Sequence, residues 1–149
     1  MRVSRGWRDD SRVVFLVCLV TVLILHTDAV AATPPGRAIV AQLQDEFGFS
    51  EGQVRGALGA LLVFARDRLP KPDFDDLAKR IPNADDIMQE VKLHGIVNGP
   101  LDDLDDYEAT LSNLGIGPQL AAQFAPAVVK YLGAAGYYRE RDILQRVID

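Results

Sequence analysis

GQVRGALGALLVFA, residues 52–65, mixes three glycines and three alanines with large apolar side chains. Three structures use such a composition: a membrane segment, a phosphate-binding glycine loop, or a tightly packed core helix. The flanking residues decide between them. Ser50 is a good N-cap, and Gln53, three residues on, is its capping-box partner. Phe49 before the cap and Val54 inside it have the spacing of a hydrophobic staple. A helix therefore starts at Glu51, with the glycines inside it. At about 100° per residue, Val54, Leu58, Leu61, Leu62 and Ala65 share one face. Gly52, Gly56 and Gly59 share the other with Ala60 and Val63. A helix with one large apolar face and one small-residue face is covered on both sides. Each interior glycine costs about 0.8–1 kcal/mol relative to alanine, which close approach of a neighbouring backbone would offset.

The alternatives lack their context. A P-loop needs a preceding strand and a Gly-Lys-Ser/Thr end, and a dinucleotide loop needs Gly-x-Gly-x-x-Gly after a strand. Gly52-x-x-x-Gly56 matches a membrane dimerisation motif, which requires an apolar stretch of about 20 residues. Arg55, Arg66, Asp67 and Arg68 bracket a much shorter one.

Outward from this helix, the rest of the chain also has helical period and punctuation. Pro35 opens a helix carrying Ile39, Val40, Leu43 and Phe47, stopped by Gly48. Pro70-Lys71-Pro72 ends the glycine-rich helix. Asp73 is placed to cap a short one with Phe74, Leu77, Ala78 and Ile81 inward, ending at Pro82. Asn83 or Asp85 starts another, with Ile87, Met88 and Val91 as its apolar side. Residues 95–100 (GIVNGP) are the longest stretch of loop chemistry. Leu104, Tyr107, Leu111 and Leu114 restore the period until Gly115. Gly117-Pro118 then opens a helix carrying Leu120, Phe124, Val128, Val129 and Leu132, which Pro126 is expected to kink or split and the stretch Gly133 to Gly136 to break. Ile143, Leu144, Val147 and Ile148 belong to a final helix. No segment has sustained alternation with hairpin turns. The predicted fold class is all-α: a compact bundle of six to seven short helices around the central Gly/Ala-rich one. Phe47-Gly48-Phe49 and Leu114-Gly115-Ile116 form a weak echo; placing Gln53 on Gln119 aligns Leu58 with Phe124. A duplicated helix pair and two amphipathic helices obeying the same rules both account for it.

Residues 1–31 read as a cleavable signal peptide, and residues 32–149 as a single helical domain. Arg2, Arg5, Arg8 and Arg12 precede an apolar run at residues 13–25, and Ala29-Val30-Ala31 fits the cleavage rule. The run is short of the roughly 20 residues a spanning helix needs, although a retained anchor is the rival reading. The expected location is periplasmic or secreted. Cleavage removes four arginines and three aspartates, leaving 12 Lys+Arg against 18 Asp+Glu, a net charge of −6. That balance argues against nucleic acid and against anionic lipid as partners, and no membrane is expected after cleavage. Cys18 and Trp7 leave as well, so packing alone must stabilise the mature chain.

Three segments together, FGFSEGQVRGALGALLVFA (47–65), LAKRIPNADDIM (77–88) and FAPAVVKYLGAAG (124–136), resemble the VcgC/VcgE family of uncharacterised exported bacterial proteins. The likeness spans roughly residues 40–148. Asn83 stands where the family pattern suggests glycine, and Arg55 interrupts the small-residue run. The resemblance implies export and a helical domain. It transfers no catalytic residue.

The acidic run LDDLDDYE, residues 101–108, is the best chemical candidate. Asp102, Asp103 and Asp106 spell Asp-Asp-x-x-Asp, a pattern some prenyl-chain enzymes use to hold magnesium and diphosphate. A hard cation needs several oxygens, and a second such motif is missing. The competing reading is that the carboxylates complement the positive end of a helix. His94 stands alone after cleavage, below the three or four ligands of a zinc site. Ser50 and Ser112 lack the Gly-x-Ser-x-Gly context of a hydrolase nucleophile. Tyr137-Tyr138 has the character of an interface pair, with one ring in the core. No cofactor is expected. The reading that follows is a non-enzymatic exported domain that binds a protein or an apolar small molecule between helices, or serves as an envelope accessory. The alternative is a small divalent-cation-dependent binder or enzyme using Asp102, Asp103 and Asp106.

Overall fold

Seven helices follow one another with short connections in a computed structural model that describes residues 35–149. The expected leader and its cleavage point lie outside the described residues. The helices are α1 (Pro35–Phe47), α2 (Glu51–Arg68), α3 (Lys71–Ala78), α4 (Ala84–Leu93), α5 (Leu104–Asn113), α6 (Pro118–Ala134) and α7 (Tyr138–Ile148). No strand occurs among the described residues. The class is all-α, as the periodicity predicts.

Helix α2 is the centre. It packs against α1, α3, α4, α5 and α7. From Val54 to Ala65 every residue except Arg55 is buried, so both faces are covered. The local cause is the cap. The Gln53 backbone N–H donates to Ser50 Oγ at 3.3 Å, and the Ser50 N–H donates to Gln53 Oε1 at 3.0 Å. The same Gln53 side chain donates from Nε2 to the Leu114 carbonyl at 3.1 Å, which ties the start of α2 to the end of α5. The Phe49 ring, expected as a staple on Val54, is placed against Phe47 (5.2 Å between centroids) and Phe124 (6.4 Å).

The two buried glycines of α2 are shared out between neighbours. Gly59 meets Ile87 and Val91 of α4; Gly56 meets Leu114 and Ile96. Gly52 has open space around it and belongs to neither contact. The small-residue face is thus real over Gly56 to Gly59 and does not extend to Gly52.

Three other expectations are corrected. Helix α3 begins at Lys71, two residues before Asp73, which lies in its first turn and does not cap it. Pro72 lacks the N–H that a first turn leaves unsatisfied, so the proline pair starts this helix as well as ending α2. Helix α6 runs unbroken through Pro126. Pro126 and Ala122, whose carbonyl loses its usual partner, are both exposed, while Phe124, Ala125, Ala127 and Val128 are buried. The lost hydrogen bond thus falls on the exposed side of α6, and packing of the buried side holds the helix. The helix ends at Ala134, within the expected Gly133–Gly136 break, and Gly136 takes left-handed backbone; a Cβ at Gly133 would lie 3.0 Å from Arg141 Cδ. Leu120, expected inward, is exposed.

Asn83 precedes α4 with φ 58°, and is the only non-glycine with positive φ among the described residues. Asparagine tolerates this conformation better than most L-residues, which explains how it stands where glycine would be expected. The echo of residues 47–49 in residues 114–116 has a geometric counterpart. Gly48 and Gly115 both close a helix in left-handed backbone, at φ 69° and 76°. Helix α2 packs on α1, α4 and α5; helix α6 packs on α5, α7 and α1.

Candidate functional site

The acidic run folds as a helix start. Asp103 caps α5: its Oδ1 accepts from the Asp106 N–H at 2.8 Å. Asp106 Oδ2 in turn accepts from the Asp102 N–H at 2.9 Å. Arg68, stacked 3.8 Å over the Phe64 ring, donates to the carbonyls of Leu101 and Asp102 and fixes the run on the end of α2. Two of the three candidate carboxylates, Asp103 and Asp106, are therefore bound to local backbone. Among the described residues, no three His, Cys, Asp or Glu side chains converge as metal ligands would.

The other chemical candidates are dispersed. Ser50 caps α2, and Ser112 in the last turn of α5 donates to the Glu108 carbonyl at 3.1 Å. His94 is exposed at the C-terminus of α4, where the helix dipole favours it. Tyr137 is partly buried beneath the Arg80 guanidinium, 4.7 Å from its centroid; Tyr138 is exposed beside Arg141.

Among the described residues one charged group is buried, and periodicity does not mark it. Glu140 of α7 is 6% exposed and accepts from Arg80 Nε, at the end of α3, at 2.8 Å. Arg139 adds ion pairs to Asp73 (3.4 Å) and Asp76 (2.9 Å), so α3 and α7 are joined by charge. Burial pushes the Glu140 carboxyl up, but the Arg80 hydrogen bond, a backbone hydrogen bond and the Arg80 charge outweigh it, and the group sits below its ordinary 4.5. A carboxyl depressed by folding contributes stability above its unfolded pKa and loses it as pH falls through the folded value. The wild type is therefore expected to lose thermal stability below about pH 4.5 more steeply than Glu140→Gln. At neutral pH, Glu140→Gln is expected to melt lower, since it leaves Arg80 without its anion. Parallel melting curves across the two pH ranges would check this.

A concave surface lies on the other side of α3. Phe74, Ala78, Ile81, Pro82 and Ala84 line a depression of about 580 Å³ between α3 and the start of α4. Asp75, Lys79, Asp85 and Asp86 rim it. A second depression of about 420 Å³ shares Phe74, Asp75 and Asp85 and adds Leu69, Met88, Lys71 and Arg66. A third, about 340 Å³, shares Arg66 and reaches Lys92, Val97 and Pro100. Asp85, Met88 and Lys92 follow one another along one side of α4, so the three form a trench running beside that helix for about 10 Å at 1.5 Å per residue. The loop at residues 95–100 borders the smallest of the three depressions, and the largest is at α3. Sequence reading placed Phe74, Ile81 and Met88 inward, and they are buried; nothing in their spacing showed that the helices above them stand apart.

No described helix is long and apolar enough to cross a membrane. A family model described as Protein of unknown function VcgC/VcgE (DUF2780) matches residues 25–145. No curated protein and no solved structure matches the chain.

Proposed function

Because the chain belongs to the VcgC/VcgE family, whose function is unknown, we propose that it is a non-enzymatic exported binding protein and that the trench between α3 and α4 is its binding surface. The trench carries this reading. Its largest depression, about 580 Å³, falls in the range of ligand sites, which run from about 300 to 1,000 Å³. Its lining is mixed: Phe74, Ala78, Ile81, Pro82 and Ala84 offer apolar surface beside Asp75, Lys79, Asn83, Asp85 and Asp86, and polar groups next to apolar ones orient a ligand. Export is supported by the arginine-flanked apolar run and by Ala29-Val30-Ala31.

The test uses a neutral environment-sensitive dye such as Nile red. Parent protein is expected to bind it with a blue-shifted emission. Ala78→Trp, which fills the floor of the trench from a half-buried position, is expected to abolish the signal while melting within a few degrees of the parent. Leu120→Trp, on exposed α6 surface, is expected to leave binding intact. Dye binding unaffected by Ala78→Trp, or no binding by the parent, would remove the trench as the site.

A further inference from the structure

We infer that the trench receives a basic amphipathic helix of a partner protein, with its apolar side on Phe74, Ala78 and Ile81 and its cations against Asp85 and Asp86; this rests on the trench being the binding surface. The argument starts from how the chain uses acids at helix starts. At α5, Asp103 and Asp106 turn to the backbone and satisfy it. At α4 the first turn also holds two acids, but no side chain caps this helix. The Asp85 and Asp86 carboxylates make no ion pair or hydrogen bond among the described residues, and both are exposed on the trench rim. The nearby acids are already engaged: Asp75 pairs with Lys71 at 2.7 Å, and Asp76 with Lys79 at 2.9 Å. The α3 end of the trench therefore presents two carboxylates without ion pairs beside Phe74, Ala78 and Ile81, while Lys92, at the far end, likewise makes no ion pair among the described residues.

Those features set the chemistry of the occupant. An anionic ligand would meet like charge at Asp85 and Asp86, on a chain whose net charge is already −5. A neutral apolar ligand would leave both carboxylates uncompensated at the edge of a desolvated contact. A cationic amphiphile matches both surfaces. The shape selects a helix, because the trench follows α4 past Asp85, Met88 and Lys92, about two turns, and an amphipathic helix presents apolar groups at that repeat.

Two labelled helical peptides of identical leucine pattern, one with lysine and one with glutamate on the polar face, provide the probes. Fluorescence anisotropy is expected to show the Leu/Lys peptide binding the protein about tenfold tighter than the Leu/Glu peptide. The double variant Asp85→Lys/Asp86→Lys is expected to erase that preference, and Ala78→Trp to weaken both peptides. Asp45→Lys/Asp105→Lys changes the net charge equally but away from the trench, and is expected to preserve the preference. If that control erases it too, the attraction belongs to overall charge and the inference falls. If Nile red is displaced by Ala78→Trp while the two peptides bind alike, the trench stands and its occupant is a neutral apolar molecule. If neither dye nor peptide binds, both readings fall.

Discussion

Gly59→Leu is expected to prevent the protein from folding, and Gly59→Ala to destabilise it by about 1–3 kcal/mol, the range for overpacking a filled core. A Cβ at Gly59 would lie 2.9 Å from the Ile87 carbonyl oxygen and 3.0 Å from Ile87 Cγ2, and closer still to Val91 Cγ1. One of these atoms is backbone, and the others belong to β-branched side chains with few rotamers. Relief therefore requires α4 to move away from α2, which opens the most extensive helix contact in the molecule. Gly56 is the control. A Cβ there meets the methyl ends of Leu114 at 2.8 and 3.1 Å, at the tip of a flexible and partly exposed side chain. Gly56→Ala also gains about 0.8–1 kcal/mol of helix propensity, so its net effect is expected to be close to zero. Denaturant midpoints for the two alanine variants check the ordering. Equal midpoints would mean that α2 and α4 do not meet backbone to side chain at Gly59.

This contrast also marks how far periodicity carries. The face holding Gly52, Gly56 and Gly59 is legible because 100° per residue is a property of the helix itself. Which of the three is compressed is a property of its neighbours, and Gly52 turns out to face open space. The same division runs through the other elements. The Ser50–Gln53 cap and the stops at Gly48 and Gly115 are local, and they stand where residue chemistry puts them. Pro126 does not split α6, and both it and Ala122, whose carbonyl it frees, lie on the exposed side of the helix, where a lost hydrogen bond costs least. Lys71 to Asp73 was misleading because a proline pair terminates one helix and begins the next with equal ease.

The surface was less legible than the core. Asp-x-x-Asp is the spacing of a cation motif and equally that of two acids closing a helix start. Asp103 and Asp106 do the second, and only coordinates separate the two. Glu140 gave no signal because its partner Arg80 is sixty residues away in sequence. The trench gave none because period reports which side of a helix faces inward, not the gap left above it. Asp85 and Asp86 were visible as first-turn acids; that they are left unpaired follows from Asp75 and Asp76 having lysines within one turn on α3.

Phe124→Ala is expected to cost about 3–5 kcal/mol, the range for removing a buried aromatic side chain. The ring is completely buried in the middle of α6. It sits 5.8 Å from the Phe47 ring and 6.4 Å from the Phe49 ring, and so joins α6 to both sides of the turn between α1 and α2. Since small domains are stable by only about 5–15 kcal/mol, this one truncation removes a large share of the total. Phe124→Leu keeps most of the volume and loses the ring contacts, which are worth about 0.5–1.5 kcal/mol per aromatic pair beyond burial. It is expected to fall between the parent and Phe124→Ala. The comparison bears on the echo as well. Phe124 occupies in α6 the place Leu58 occupies in α2 when Gln119 is laid on Gln53, and both are fully buried. Leu58→Ala is expected to cost about 2–5 kcal/mol, comparable to its counterpart. Urea unfolding of the three variants would measure this, and a Phe124→Ala midpoint near the parent's would show that α6 does not rest on the turn between α1 and α2.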